Sequence, residues 1–153
     1  LPRLGNFEVV TAIWLLGYAQ DENQLVDMVR NIRANLTENG VFVALCPNPE
    51  ISWETAASRY PKYGLAVAET FSSGARQGCT VKVLMEPSFT FESFFWPRDV
   101  LERSFRRGGF DELVWHPATV SDEAVNEFGD DFWADFLENP TFAVVTMRPT
   151  SPG

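Results

Sequence analysis

Apolar residues run almost without interruption through positions 9–16. A run of this kind, with no polar alternation, predicts a strand over 7–16 buried on both faces of a parallel sheet. The period then changes. Leu25, Met28, Val29, Ile32 and Leu36 recur at spacings of three and four, the pattern of a helix with one apolar stripe. Asp21 is placed to cap its start, with Gln24 in the capping-box position, and Asn39-Gly40 to end it. A second apolar run at 41–45 predicts the next strand. Residues 7–46 therefore read as strand, helix, strand, with a right-handed crossover.

Pro47-Asn48-Pro49-Glu50 stops that second strand. It sits at the carboxyl end of a parallel strand, where open α/β sheets gather their ligands. Ser52 caps a short predicted helix over 52–60, broken by Pro61 and Gly64, and Ser72-Ser73-Gly74 reads as a loop tip. Alternation over 79–86 and 89–96 predicts an antiparallel hairpin around Pro87-Ser88, with Phe89, Phe91 and Phe95 on one face. Pro97 suits the first position of a helix over 98–107 that buries Leu101 and Phe105. Asp99–Arg103 and Glu102–Arg106 are spaced to pair along it, and Gly108-Gly109 ends it. A short strand at 113–115 follows, then a helix over 122–128 capped by Ser121. A helix over 131–138 puts Phe132, Trp133, Phe136 and Leu137 on one face, and a final strand covers 141–147. Residues 1–6 are a lead-in loop and 149–153 a tail. The whole reads as one α/β domain, 1–153, with 47–96 as a lid and hairpin insertion.

Composition narrows the partners. The 153 residues carry a formal net charge of −9, which disfavours nucleic acid and anionic membranes as partners. No stretch reads as a membrane span or a signal peptide, and the expected compartment is the cytoplasm. Cys46 and Cys79 lack metal or redox spacing, so two reduced thiols are expected. Aromatic residues make up 14%, enough to line a cavity as well as a core.

The strand at the start carries Phe7-Glu8-Val9-Val10, Ala12, Leu15 and Tyr18-Ala19; after the helix come Leu36-Thr37-Glu38-Asn39-Gly40-Val41-Phe42-Val43. Residues 101–110 (LERSFRRGGF) and the later FGDDFWADFLENP complete the set. In this order they resemble the second half of a class I S-adenosylmethionine-dependent methyltransferase, of the small-molecule type related to the toxoflavin enzyme. The resemblance implies half of a Rossmann-like sheet, strands 4-5-7-6 with the seventh antiparallel. It implies S-adenosylmethionine as cofactor, with Ala12, Trp14, Leu15 and Tyr18 beside the donor. The family's glycine-rich loop and the acidic residue ending its second strand find no counterpart. The chain is therefore expected to be a carboxy-terminal part, inactive alone. The alternative is a non-catalytic binding or assembly subunit that completes a separate amino-terminal half.

The acceptor implied by the resemblance is small, aromatic or heterocyclic. Trp53, Tyr60, Tyr63, Phe91 and Trp96 are the candidate lid residues over it; the alternative is that they pack the insertion onto the sheet. His116, the lone histidine, is the candidate base, weighed against a structural role. Glu123, Glu127, Asp130, Asp131, Asp135 and Glu138 read as a solvated helix face. No metal spacing, nucleophile elbow or phosphate loop occurs. A first strand this apolar is expected to pair along its outer edge, with the missing half or with a second copy in a homodimer.

Overall fold

The computed structural model describes residues 3–150. The predicted lead-in loop and tail therefore lie partly outside the described residues, at Leu1, Pro2 and 151–153. The first strand, β1 (Phe7–Ile13), is followed by a 3₁₀ turn (Leu16–Tyr18), helix α1 (Glu22–Ala34) and strand β2 (Leu36–Pro47). Asp21 accepts the Gln24 amide at 2.8 Å, and the Gln24 side chain accepts the Gln20 amide, so the capping logic of the sequence holds. The helix ends earlier than its spacing predicts. Asn35 closes it: its carbonyl takes the Phe7 amide at 2.8 Å and its side-chain oxygen takes the Leu4 amide at 2.6 Å. Leu36 thus belongs to β2, opposite Phe7, and Asn39-Gly40 lies inside that strand, where the register jumps from Phe7↔Leu36 to Val9↔Val41.

Beyond β2 come α2 (Trp53–Arg59), a 3₁₀ turn (Tyr60–Tyr63), and strands β3 (Leu65–Ser73), β4 (Arg76–Val83) and β5 (Phe89–Phe95). Then follow α3 (Arg98–Arg107), β6 (Phe110–His116), α4 (Asp122–Phe128), α5 (Asp130–Glu138) and β7 (Phe142–Pro149). One sheet has the order β1-β2-β7-β6, with β1 and β2 parallel and β7 antiparallel to both its neighbours. The other is an antiparallel β3-β4-β5 sheet. The predicted hairpin is β4–β5, and the sequence reading missed its third strand. A bulge between Val67 and Glu69 breaks the two-residue period of β3, which hides the alternation of Leu65, Val67 and Phe71. Pro97 stands one place earlier than expected, as the cap residue before α3.

The core lies on one face of the four-stranded sheet. Leu25 and Val29 of α1 and Leu101 and Phe105 of α3 cover Ala12, Phe42, Ala44, Val145 and Met147. Gly108 lets the end of α3 approach α1, since a Cβ there would meet Val29 Cγ1 at 2.2 Å. The opposite face is different. Val9 is 57% exposed, Ile13 64% and Val114 53%. The expectation that β1 is buried on both faces is corrected: α1 and α3 pack on the same side, and Val9 and Ile13 on the other face of β1 stay open to solvent.

Candidate functional site

A cavity of about 400 Å³ opens where the first sheet meets the second. Its floor is the carboxyl end of the parallel pair and the start of β7: Trp14 and Tyr18 after β1, Pro47 ending β2, Thr141 and Phe142 entering β7. Trp53, Ala56 and Tyr60 form one wall from α2 and the turn after it. Leu65, Val67, Val81 and Phe91 form the other, from β3, β4 and β5. Val67, Val81 and Phe91 are register partners, so they share one face of the small sheet. Glu92 also touches the cavity, but it pairs with Thr80 and so belongs to the opposite face.

Polar contacts fix the walls rather than fill the space. Tyr60 is 3% exposed and its hydroxyl donates to the Asn139 carbonyl at 2.5 Å; burial pushes its pKa up to about 12, so it stays a neutral donor. Asn139 exchanges hydrogen bonds with Ser52, side-chain oxygen to the Ser52 amide and side-chain amide to its carbonyl, both 2.9 Å. Asn48 donates to the Pro140 carbonyl at 2.9 Å. Trp53 packs on Phe95 with ring centroids 4.9 Å apart, and its indole N–H is buried with no partner among the described residues. Trp14 has φ of 58°, a left-handed backbone that costs a non-glycine residue about 1–3 kcal/mol.

Five of the sequence candidates meet here: Trp14, Tyr18, Trp53, Tyr60 and Phe91. The other five lie elsewhere. Ala12 is 4% exposed within the core, and Leu15 points its bulk to solvent at 43% exposure. Trp96 is buried under the 3₁₀ turn, donating to the Leu16 carbonyl at 3.2 Å. Tyr63 lines a second, more open cavity of about 360 Å³ with Phe128, Phe132, Trp133 and Phe136. His116 ends β6, with Nε2 2.9 Å from the Thr146 hydroxyl. The sequence reading passed over Phe142, Val67, Val81 and Gly17. Only Phe142 left a signal, an aromatic residue two places after the Asn139-Pro140 stop. Gly17 is required by contact: a Cβ there would lie 2.2 Å from the Phe94 carbonyl oxygen.

The acidic helix face is not wholly solvated either. Asp135 bridges Lys62 at 2.6 Å and Arg59 at 3.1 Å, and Glu138 pairs with Arg59 at 2.5 Å. Both cysteines are free and buried, and desolvation pushes their thiols up to about 12, which favours the neutral thiol over the nucleophilic thiolate. Among the described residues no group of three or more His, Cys, Asp or Glu is disposed to hold a metal ion, and no helix is long and apolar enough to cross a membrane.

No family model matches the sequence, and no curated protein matches it. Solved structures do. An S-adenosylmethionine-dependent methyltransferase from Clostridium acetobutylicum superposes with a TM-score of 0.59 at 12% identity, over 97% of this chain and 61% of that one. The CcbJ methyltransferase from Streptomyces caelestis gives 0.56 at 17% identity, over 96% and 59%. The glycopeptide N-methyltransferase MtfA, solved with sinefungin, gives 0.54 at 16% identity, over 100% and 56%. The chain spans about three fifths of the length of these proteins. At such identities the likeness establishes the fold: a mixed α/β, Rossmann-like methyltransferase sheet accompanied by a separate antiparallel sheet.

Proposed function

We propose that this chain belongs to an S-adenosylmethionine-dependent methyltransferase that methylates a small aromatic or heterocyclic acceptor held in the 400 Å³ cavity. The observation that carries the reading is the position of that cavity. It opens at the carboxyl end of β1, on a sheet whose order is that of solved S-adenosylmethionine-dependent methyltransferases. The residues present fit the donor. Its sulfonium is a cation, and the faces of Trp14 and Tyr18 attract cations without a formal charge. Ala12 and Leu15 do not line the cavity, and their assignment to the donor side draws on the resemblance alone. S-adenosylmethionine, when bound, supplies an electrophilic methyl group.

The chain's own residues orient and desolvate. Trp53, Tyr60 and Phe91 provide flat apolar surface for a planar acceptor, with Tyr60 locked by its bond to Asn139. Aligning acceptor and donor accounts for much of the barrier reduction in such a transfer, so no base among the wall residues is needed. His116, bonded to Thr146 outside the cavity, is assigned no step.

Isothermal titration of the intact protein with S-adenosylmethionine tests the reading: saturable binding is expected, and its absence overturns it. A second reading, a non-catalytic subunit that completes a separate amino-terminal part, draws on the outer edge and uncovered face of β1. There Val9 and Ile13 stand exposed, and β2 is the one strand paired to it among the described residues. Both readings have that edge taken by a further strand, from an amino-terminal part or a second copy. The coding sequence upstream of Leu1 separates them: a glycine-rich strand-turn-helix in frame supports one enzyme, and a separate gene for that part supports two chains.

A further inference from the structure

We propose that the indole of Trp14 sets the width of the acceptor chamber, and that its left-handed backbone is what holds the ring across it. The role rests on the reading of the cavity as an acceptor site. Among the described residues Trp14 is the one non-glycine with positive φ, at 58°. A bulky side chain rarely takes that conformation. Burial of the ring does not offset the strain, because Trp14 remains 44% exposed.

The neighbours show why the chain must turn so sharply here. The Trp14 amide still donates to the Leu45 carbonyl at 2.9 Å, continuing the β1–β2 ladder. Two residues on, Leu16 is 1% exposed, and its carbonyl accepts the Trp96 indole N–H at 3.2 Å. Gly17 then lies so close to β5 that a Cβ would stand 2.2 Å from the Phe94 carbonyl oxygen. Pinned on both sides, the chain reverses at Trp14, where glycine or asparagine would serve with less strain. A tryptophan there has a use that a turn residue lacks. Its ring meets Phe142 edge-on, centroids 6.4 Å apart at 87°, and closes the cavity wall between the ends of β1 and β7.

Trp14→Gly, Trp14→Ala and Trp14→Phe in the intact protein test this. Glycine releases the strain and alanine keeps it, so the glycine variant should melt roughly 2–4 °C above the alanine variant. Titration with quinoline and acridine, flat heterocycles differing by one fused ring, reads the width. Wild type should favour quinoline, and Trp14→Gly should shift the ratio toward acridine by about tenfold, the scale of one lost or gained pocket contact. Trp14→Phe, which keeps a ring in place, should fall between. An unchanged ratio overturns the proposal, as does an alanine variant that melts at or above the glycine variant. Failure of every form to bind either heterocycle also overturns it, together with the chamber reading. The separate titration with S-adenosylmethionine then shows whether the methyltransferase reading falls too.

Discussion

Two parts of this molecule use the same residue types for different ends. Under α1 and α3, Phe42, Phe105 and Phe110 are 0% exposed, with Phe42–Phe105 and Phe42–Phe110 centroids 6.5 and 5.6 Å apart. Around the cavities, Tyr63, Phe132, Trp133 and Phe136 also touch, Tyr63 stacking on Trp133 at 5.7 Å. Yet neither α4 nor α5 contains a fully buried residue, and Phe128 is 51% exposed. The first group stabilises by removing apolar area from water. The second forgoes much of that and leaves apolar surface open to a ligand. Polar contacts from the side chains of Tyr60, Tyr63, Asn139 and Asp135 hold it instead.

The contrast breaks or stands on one pair of substitutions. Phe105→Ala leaves a cavity in the closed core and should cost about 3–5 kcal/mol of stability. Phe132→Ala on α5 removes the same atoms from a partly buried site and should cost less, about 1–2 kcal/mol. Denaturant unfolding with unchanged slope measures both. Equal losses would mean that the aromatic helices are a second core rather than a cavity wall.

The sequence made the first part legible and the second only in outline. Asp21, Ser52 and Ser121 were readable as caps because a side-chain oxygen followed by an apolar period has one local use; each accepts the expected amide, Gln24, Thr55 and Ala124. The order β1-β2-β7-β6 is the one the resemblance to a methyltransferase half implies, strands 4-5-7-6; hydrophobic periodicity alone locates the strands without ordering them. What stayed hidden depends on contacts distant in sequence. The bulge in β3 erased its alternation, and Asn35 ended α1 early through bonds to residues 4–7. The exposed face of β1 was hidden for a related reason: a continuous apolar run records that both faces are apolar, not whether both are covered. For the site, aromatic residues on the insertion were found by type. That Tyr60 lines both cavities and Tyr63 the second alone depends on the turn between α2 and β3.

Tyr63 gives the next test, a smaller one. Its hydroxyl donates to the Phe132 carbonyl at 2.5 Å and accepts the Phe136 amide at 3.1 Å, standing inside one turn of α5. Tyr63→Phe removes this clasp and should cost about 1 kcal/mol. Because the clasp is local, amide hydrogen exchange should quicken in α5 and stay unchanged in β2 and β7. Uniform acceleration would place Tyr63 with the core instead.

The smallest expected effect concerns charge. Lys62, above all through its hydrogen bond, and Arg59 hold the Asp135 carboxyl below its ordinary value of 3.8. A carboxyl depressed in the folded state binds fewer protons there than in the unfolded chain. Its stabilising contribution is therefore complete above 3.8 and fades as pH falls through the lower folded value. The side chains of Lys62 and Arg59 are 34% and 39% exposed, so salt should screen the pairs, and the net effect should be small. Asp135→Asn should melt slightly below wild type at neutral pH. That gap should stay level down to about pH 5, close toward pH 2, and narrow as salt is added. A gap that persists in acid would show that Asp135 holds α5 by packing and neutral hydrogen bonds. The charged latch would then drop out of the comparison, leaving the tyrosine hydroxyls and Asn139 to fasten the cavity wall.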